Sequence, residues 1–136
     1  MDVDKIDLEV TTPERRVLAE TVDEVILPGT DGYLGVLPGH APLLTGLNAG
    51  AVEFRIGKRT HYIAVSAGFV EVLRNRVSIL ADTAERAEEI DAERAERSKD
   101  LAEKALSRQD PETDMLEAEA RLRRAIARIQ VRKLIR

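Results

Sequence analysis

Val52-Glu-Phe-Arg-Ile-Gly-Lys-Arg-Thr-His-Tyr-Ile-Ala64 decides the architecture. Val52, Phe54 and Ile56 alternate with the charged Glu53 and Arg55, Tyr62 and Ala64 resume the alternation, and Gly57-Lys58-Arg59 sits midway. A period of two sends successive side chains to opposite faces of a strand, and a short glycine-led break between two such runs closes a hairpin.

The same period recurs on both sides of this hairpin, in Ile6, Leu8 and Val10, in Val70 and Val72, and in Val77 and Ile79. Thr12-Pro13, Pro28-Gly29, Asp31-Gly32, Pro38-Gly39 and Arg74-Asn75-Arg76 supply turn signals between the runs. One strand and turn roughly every ten residues is the rhythm of an all-β sandwich or barrel. The stretch from Asp31 to Leu44 breaks that rhythm, with three glycines, two prolines and His40 among apolar residues. It reads as tight turns with glycines at positive φ and leucines plugging the core, and also as a projecting loop with Tyr33 and His40 as polar tips.

Beyond Ala84 the material changes. All 8 glycines and four of the 5 prolines precede that point, leaving a glycine-free tail of 52 residues in which helix formers dominate. Asp91 caps a first helix through Leu106, whose small residues Ala95, Ser98, Ala102 and Ala105 form a narrow seam. After Ser107-Arg-Gln-Asp110, Pro111 opens a second helix to about Arg132, with Met115, Ala118, Leu122, Ala125 and Ile129 as the opposing seam. Alanine seams bury little area, about 1 kcal/mol or less per methyl, so a hairpin docked permanently on a sheet and a movable arm are both compatible with the pattern.

The 136 residues, 15.1 kDa, hold one ordinary domain or two small ones, which excludes a large multi-domain enzyme. Cysteine is absent, which removes disulfides, thiolate metal sites and a cysteine nucleophile. Two histidines without a triad pattern supply no catalytic base and no metal cluster, so no catalytic residue and no metal ligand are expected. The acidic opening from Met1 lacks a secretion signal and no run of about 18 apolar residues occurs, which suggests a soluble protein of a reducing compartment. The net charge of −4 conceals a segregated tail, −7 from Glu85 to Glu119 and +7 from Ala120 to Arg136. With aromatics at 3%, the basic end has nothing to stack on bases, so an acidic protein surface fits it better than nucleic acid.

Three motifs carry a family resemblance: Gly35-Val-Leu-Pro-Gly-His-Ala-Pro-Leu-Leu44, Val65-Ser-Ala-Gly-Phe-Val-Glu-Val72 and Ile79-Leu-Ala-Asp-Thr-Ala-Glu85, followed by the hairpin. In this order and spacing the chain closely resembles the epsilon subunit of the bacterial F-type ATP synthase. The resemblance implies an α+β fold, an N-terminal β-sandwich of about ten short strands over residues 1–84 and a C-terminal antiparallel two-helix hairpin over 85–136. It implies a non-catalytic rotor subunit of the central stalk, with the sandwich on the gamma subunit and the c-ring. Its place would be peripheral, at the cytoplasmic face of the bacterial plasma membrane, with membrane association only through the complex. Asp31, Tyr33 and His40 fall where the family's loop faces the c-ring and gamma, Tyr33 replacing a common carboxylate. The arm would extend toward the alpha and beta catalytic subunits and hinder hydrolysis, using Arg121, Arg123, Arg124, Arg128, Arg132 and Lys133.

Ile90-Asp-Ala-Glu-Arg-Ala95 matches the motif by which some members of that family hold ATP. By that resemblance Ile90 and Asp91 would face the adenine, Arg94, Arg124 and Arg128 the phosphates, and Glu85 and Ala95 would complete the pocket. Leu101 stands where ATP-binding members have a further arginine. ATP would thus be a regulatory ligand and no cofactor would be required. Read without the resemblance, Asp91 is a helix cap and the arginines are a solvated or docking face. Two other readings fit the same residues, a free-standing nucleotide-sensing module and a β-sandwich adaptor.

Overall fold

A computed structural model describes residues 4–108 and 110–135; the extreme start read above for a secretion signal, Met1 to Val3, lies outside them, as does Gln109 of the inter-helix break. Ten strands run in chain order: β1 (Ile6–Thr11), β2 (Arg16–Val22), β3 (Glu24–Gly29), β4 (Gly32–Val36), β5 (Leu43–Leu47), β6 (Gly50–Ile56), β7 (Arg59–Val65), β8 (Gly68–Leu73), β9 (Arg76–Ala81) and β10 (Ala84–Arg86). A short 3-10 turn (Ala87–Glu89) leads into α1 (Ala92–Arg108) and α2 (Met115–Leu134). The sandwich-plus-hairpin expectation therefore holds.

The strands form one sheet in the order β10-β7-β6-β3-β5-β8-β9-β1-β2, with β4 on β3. The sheet doubles over where β3 meets β5 through the single pair Gly29–Leu47, and β1 lies parallel to β9 while its other neighbour is antiparallel. Ile6, Leu8, Val10, Val52, Phe54, Val70, Val72, Val77 and Ile79 all point into the core between the layers, as their alternation requires. Ile56 is exposed at the turn end of β6.

Strands that the two-residue period did not reveal have local reasons for concealment. In β2 the register slips between Val10 and Thr11, and the bulge buries the adjacent Val17 and Leu18 together. Pro28-Gly29, read as a turn, instead ends β3, and the chain reverses at Thr30-Asp31, where Gly32 takes φ 123°. The leucines of the 31–44 stretch divide, with Leu34 and Leu43 half-buried against the core as expected of a plug. Leu37 and Leu44 are exposed, and Val36 is the buried residue of β4. Gly39 takes φ 87° in the following loop, and its N–H donates to Asn75 Oδ1 at 2.7 Å, tying that loop to the β8–β9 turn.

The helices pack on each other, and of the expected seam Ala95, Ala102, Ala118 and Ala125 are buried, while Ser98, Ala105, Met115, Leu122 and Ile129 are half-buried. The expected seam does not include a further face of α2, which carries Ala127 and Val131. Val131 packs with Ala64 of β7, Ala87 and Ile90, with Tyr62 alongside, so the arm lies on the outer face of β6 and β7. The second helix starts four residues later than Pro111 suggests. Asp110 Oδ1 accepts the Glu112 N–H (2.9 Å) and the Asp110 carbonyl accepts the Thr113 N–H (2.9 Å), closing a separate turn. Asp114 then caps α2 by accepting the Glu117 N–H at 3.1 Å.

Candidate functional site

Where the arm lies on the sandwich, the two parts flank an open cavity of about 670 Å³, within the range that holds a small-molecule ligand. Arg94, Ser98 and Leu101 reach it from α1, and Arg121, Arg124 and Arg128 from α2. Spacings of three and four residues place each set on a single helix face. The sandwich contributes Thr12, Glu14 and Arg15 from the β1–β2 turn and Asp82 to Glu85 from the segment entering β10. None of the residues from the β1–β2 turn is discernible as a site component in sequence, because about 80 residues separate them from Arg94 and more than 100 from Arg121.

Five guanidinium groups converge here. Arg128 Nε donates to Glu85 Oε1 at 2.8 Å and its Nη2 lies 3.5 Å from Oε2, a forked pair joining α2 to β10. Arg15 pairs with Glu89 (3.0 Å) and Arg121 with Glu117 (2.7 Å). Among the described residues, no carboxylate lies within 4.0 Å of the nitrogens of Arg94 or Arg124. A recess with two uncompensated guanidinium groups is suited to an anion, and to a multiply charged one if the paired arginines exchange partners.

Of the residues that the ATP motif singled out, the structure brings four to the cavity: Glu85, Arg94, Arg124 and Arg128. The others point elsewhere. Ile90 is buried in the cluster under Val131, and Ala95 is wholly buried in the helix seam. Asp91 Oδ1 accepts the Arg94 N–H at 3.1 Å, which is the helix-cap geometry. Leu101 lies exposed at the cavity wall.

The basic residues of α2 divide among its faces. Arg121, Arg124 and Arg128 line the cavity, Arg123 reaches Glu119 at 3.7 Å, Arg132 is half-buried and Lys133 is exposed at the helix end. The expected loop contacts are likewise apart. Asp31 and Tyr33 flank the β3–β4 reversal, with the Tyr33 hydroxyl accepting the Ala51 N–H at 3.3 Å, while His40 lies beyond the far end of β4, its Nδ1 2.6 Å from the Ala41 carbonyl oxygen.

Another surface lies on the other layer. Leu44 of β5, Phe69 of β8 and Leu80 of β9 share its outer face and are 72%, 63% and 59% exposed. The signal was present in the alternation, since Val70 and Val72 facing inward force Phe69 outward. Among the described residues no group of three or more histidines and carboxylates is placed to hold a metal, and no helix is long and apolar enough to cross a membrane.

A sandwich with an apolar outer face, carrying a helical arm over an arginine-lined recess, defines a contact subunit. Comparison with known proteins gives the same result. Residues 5–87 match the family described as the ATP synthase Delta/Epsilon chain beta-sandwich domain, and residues 88–133 its long alpha-helix domain. The ATP synthase epsilon chain of Moorella thermoacetica is 52% identical over 126 residues, covering 92% of this chain and 94% of its own. That of Nitratidesulfovibrio vulgaris is 46% identical over 127 residues, covering 93% and 95%. A chain of the Euglena gracilis mitochondrial ATP synthase, in a structure of its OSCP, F1 and c-ring, superposes with a TM-score of 0.77 at 28% identity, covering 88% of this chain and 76% of that one. The chain belongs to the ATP synthase epsilon chain family, whose members are non-catalytic subunits.

Proposed function

We propose that this chain is the rotor subunit that joins gamma to the c-ring in the central stalk of a bacterial proton-translocating ATP synthase, at the cytoplasmic face of the plasma membrane. Its helical arm restrains ATP hydrolysis, and ATP in the cavity favours the docked arm. The relatives are bacterial epsilon chains, and the structural neighbours come from an F1/c-ring assembly and a central stalk with its c-ring, which supports these partners.

The observation that carries the regulatory reading is the way the arm is held. One forked ion pair, Glu85–Arg128, and a small cluster around Val131 join the helices to the sandwich, while alanines make up the seam between them. Contacts of this size allow docked and extended arms to differ by only a few kcal/mol. A ligand at about ten times its dissociation constant adds roughly 1.4 kcal/mol to the docked form, enough to shift a near-balanced arm.

The sandwich fits the static partner. Its apolar face of Leu44, Phe69 and Leu80 is suited to gamma, with Asp31 and Tyr33 at one end of β4 and His40 at the other as polar contacts to gamma and the c-ring. In the extended state, Arg121, Arg123, Arg124, Arg128, Arg132 and Lys133 would face acidic loops of the catalytic subunits. Because β10 pairs with β7 through Arg86, the test is a truncation after Ile90, which keeps the whole sheet. The assembled complex with the truncated chain should hydrolyse ATP faster than the full-length complex at equal subunit content. Equal rates would remove the inhibitory role.

A further inference from the structure

We infer that Ser66 is a positioning residue for the arm: its hydroxyl holds Thr83 and so sets Glu85, two residues further on, where Arg128 of α2 meets it. The inference rests on the regulatory reading of the arm given above and adds what aims the latch.

The strands around Ser66 form a single bent ribbon. β8 and β9 pair antiparallel from Leu73–Arg76 to Gly68–Ala81, and β7 and β10 continue in the same register from Val65–Ala84 to Ile63–Arg86. Between these halves the ribbon crosses from one layer to the other through Ala67 and Asp82, where the Asp82 N–H donates to the Ala67 carbonyl at 2.9 Å, and through Ser66 and Thr83. At a hydrogen-bonded antiparallel pair the two residues exchange both N–H to carbonyl bonds. Ser66 keeps its half, its N–H donating to the Thr83 carbonyl at 3.0 Å. The Thr83 N–H goes instead to Ser66 Oγ at 2.9 Å, and the Thr83 hydroxyl donates to the same oxygen at 2.8 Å. Ser66 is the one buried polar side chain among the described residues, and its oxygen takes the place of the ladder acceptor that the bend removes.

Glu85 has little else to fix it. β10 is three residues long and stands at the end of the sheet order, with β7 as its paired neighbour. So short an edge strand opens easily unless its ends are tied. Beyond Glu85 the tie is Arg86, whose Nη2 donates to the Val17 carbonyl of β2 at 3.2 Å; before Glu85 it is Thr83. The latch itself has no slack. Arg128 Nε lies 2.8 Å from Glu85 Oε1, but Nη2 stands 3.5 Å from Oε2, at the outer limit of a hydrogen bond, so a small outward displacement of β10 opens the fork. Ser66→Ala leaves two donors of Thr83 without their acceptor and frees one end of β10, while every β8–β9 pair keeps its partner.

The experiment compares the full-length chain with Ser66→Ala by amide hydrogen exchange and by the NMR signal of the Arg128 Nε–H. In Ser66→Ala, α1 and α2 should exchange about five- to tenfold faster, the worth of about one hydrogen bond, while β1, β8 and β9 stay within about twofold of the parent. The Arg128 Nε–H signal should move toward that of an unpaired guanidinium, a change that a purely structural role for Ser66 does not produce. Thr83→Val, which removes the hydroxyl and keeps the N–H, should give a smaller change of the same kind, and it carries the test if Ser66→Ala does not fold. Because Ser66 acts through Glu85, its effect on the helices should shrink to about twofold or less in an Arg128→Ala background. Equal loss of protection in helices and sandwich would make Ser66 a residue of the fold alone and overturn the inference, as would an unmoved Arg128 signal or a full effect without Arg128. Hydrolysis by the assembled complex is a separate readout. If Ser66→Ala loosens the arm and neither it nor truncation after Ile90 raises hydrolysis, the inhibitory reading falls and the positioning role stands.

Discussion

Asp23 shows how a single carboxylate pins a strand junction. Its side chain accepts from Lys5 Nζ and from the Gly57 N–H (2.7 Å), and Arg55 Nη1 lies 3.7 Å away, so the start of β1, the β2–β3 link and the β6–β7 turn meet on one anion. These contacts, the Lys5 hydrogen bond first, hold the Asp23 carboxyl below the ordinary carboxylate range. A folded-state value below the unfolded one contributes stability that is present above the unfolded value and lost as pH falls through the folded one. Asp23→Asn should therefore lower the melting temperature at neutral pH, and the gap to the parent should narrow steadily in acid; a gap independent of pH would show that the charge is not what matters. Gly68 is fixed by space instead of charge. A Cβ there would lie 2.0 Å from the Leu80 carbonyl oxygen and 2.9 Å from Ala81 Cα, both backbone atoms of the paired strand β9. Gly68→Ala should destabilise by about 1–3 kcal/mol in urea unfolding, the cost of forcing a packed strand aside. That site lies in a motif visible in the sequence, yet the reason for the glycine is a contact with residues a dozen positions away, which no local pattern contains.

The hairpin separates what a period can reveal from what it cannot. The seam of Ala95, Ala102, Ala118 and Ala125 was legible because those residues recur at helical spacing. Ala127 and Val131 were not, because a helix that packs on a partner helix and a sheet together buries two stripes, and the sheet-facing stripe resembles a scatter of apolar residues among arginines. For a related reason β7 shows a broken alternation: Ile63 and Val65 face the inter-layer core while Ala64 faces the arm, so three consecutive residues are buried. Of the ion pairs along the helices, two lie within the acidic stretch and two cross from it to the basic one, so most of the tail's charge segregation persists. Glu93–Arg97, Lys99–Glu103, Glu117–Arg121 and Glu119–Arg123 all pair at four-residue spacing, and such exposed pairs each contribute only about 0.3–0.5 kcal/mol. None of these pairs reaches the sandwich, so docking rests on the Val131 cluster and the Glu85–Arg128 pair. Val131→Asp places an unpaired charge among Ala64, Ala87 and Ile90, which should release the arm while leaving the inter-layer core intact. In amide hydrogen exchange, the helices should lose protection and β1, β8 and β9 should keep theirs; equal loss throughout would mean that sandwich and arm unfold as one unit.

The arm and the apolar patch lie on opposite outer faces of the folded sheet. Helix α2 covers β6 and β7, while Leu44, Phe69 and Leu80 project from β5, β8 and β9 on the other layer. Neither can cover the other, so the chain can hold a permanent partner on one side while the arm changes state on the opposite side. Half of this arrangement was legible in the sequence, since the strand parity places Phe69 outward; the other half required the fold-over at Gly29–Leu47, a single pair that no period marks. Burying an aromatic side chain of this exposure contributes about 1.5–3 kcal/mol, or roughly ten- to hundredfold in affinity. Phe69→Asp removes that contribution and sets a charge against the partner. Its own fold should be unchanged within about 0.5 kcal/mol, because the position is solvent-exposed in the free chain. Co-purification with gamma should fall by tenfold or more, and hydrogen exchange of α1 and α2 in the isolated chain should match the parent. Undiminished gamma binding would move the interface to another face, and altered helix exchange would show that the two layers are coupled after all.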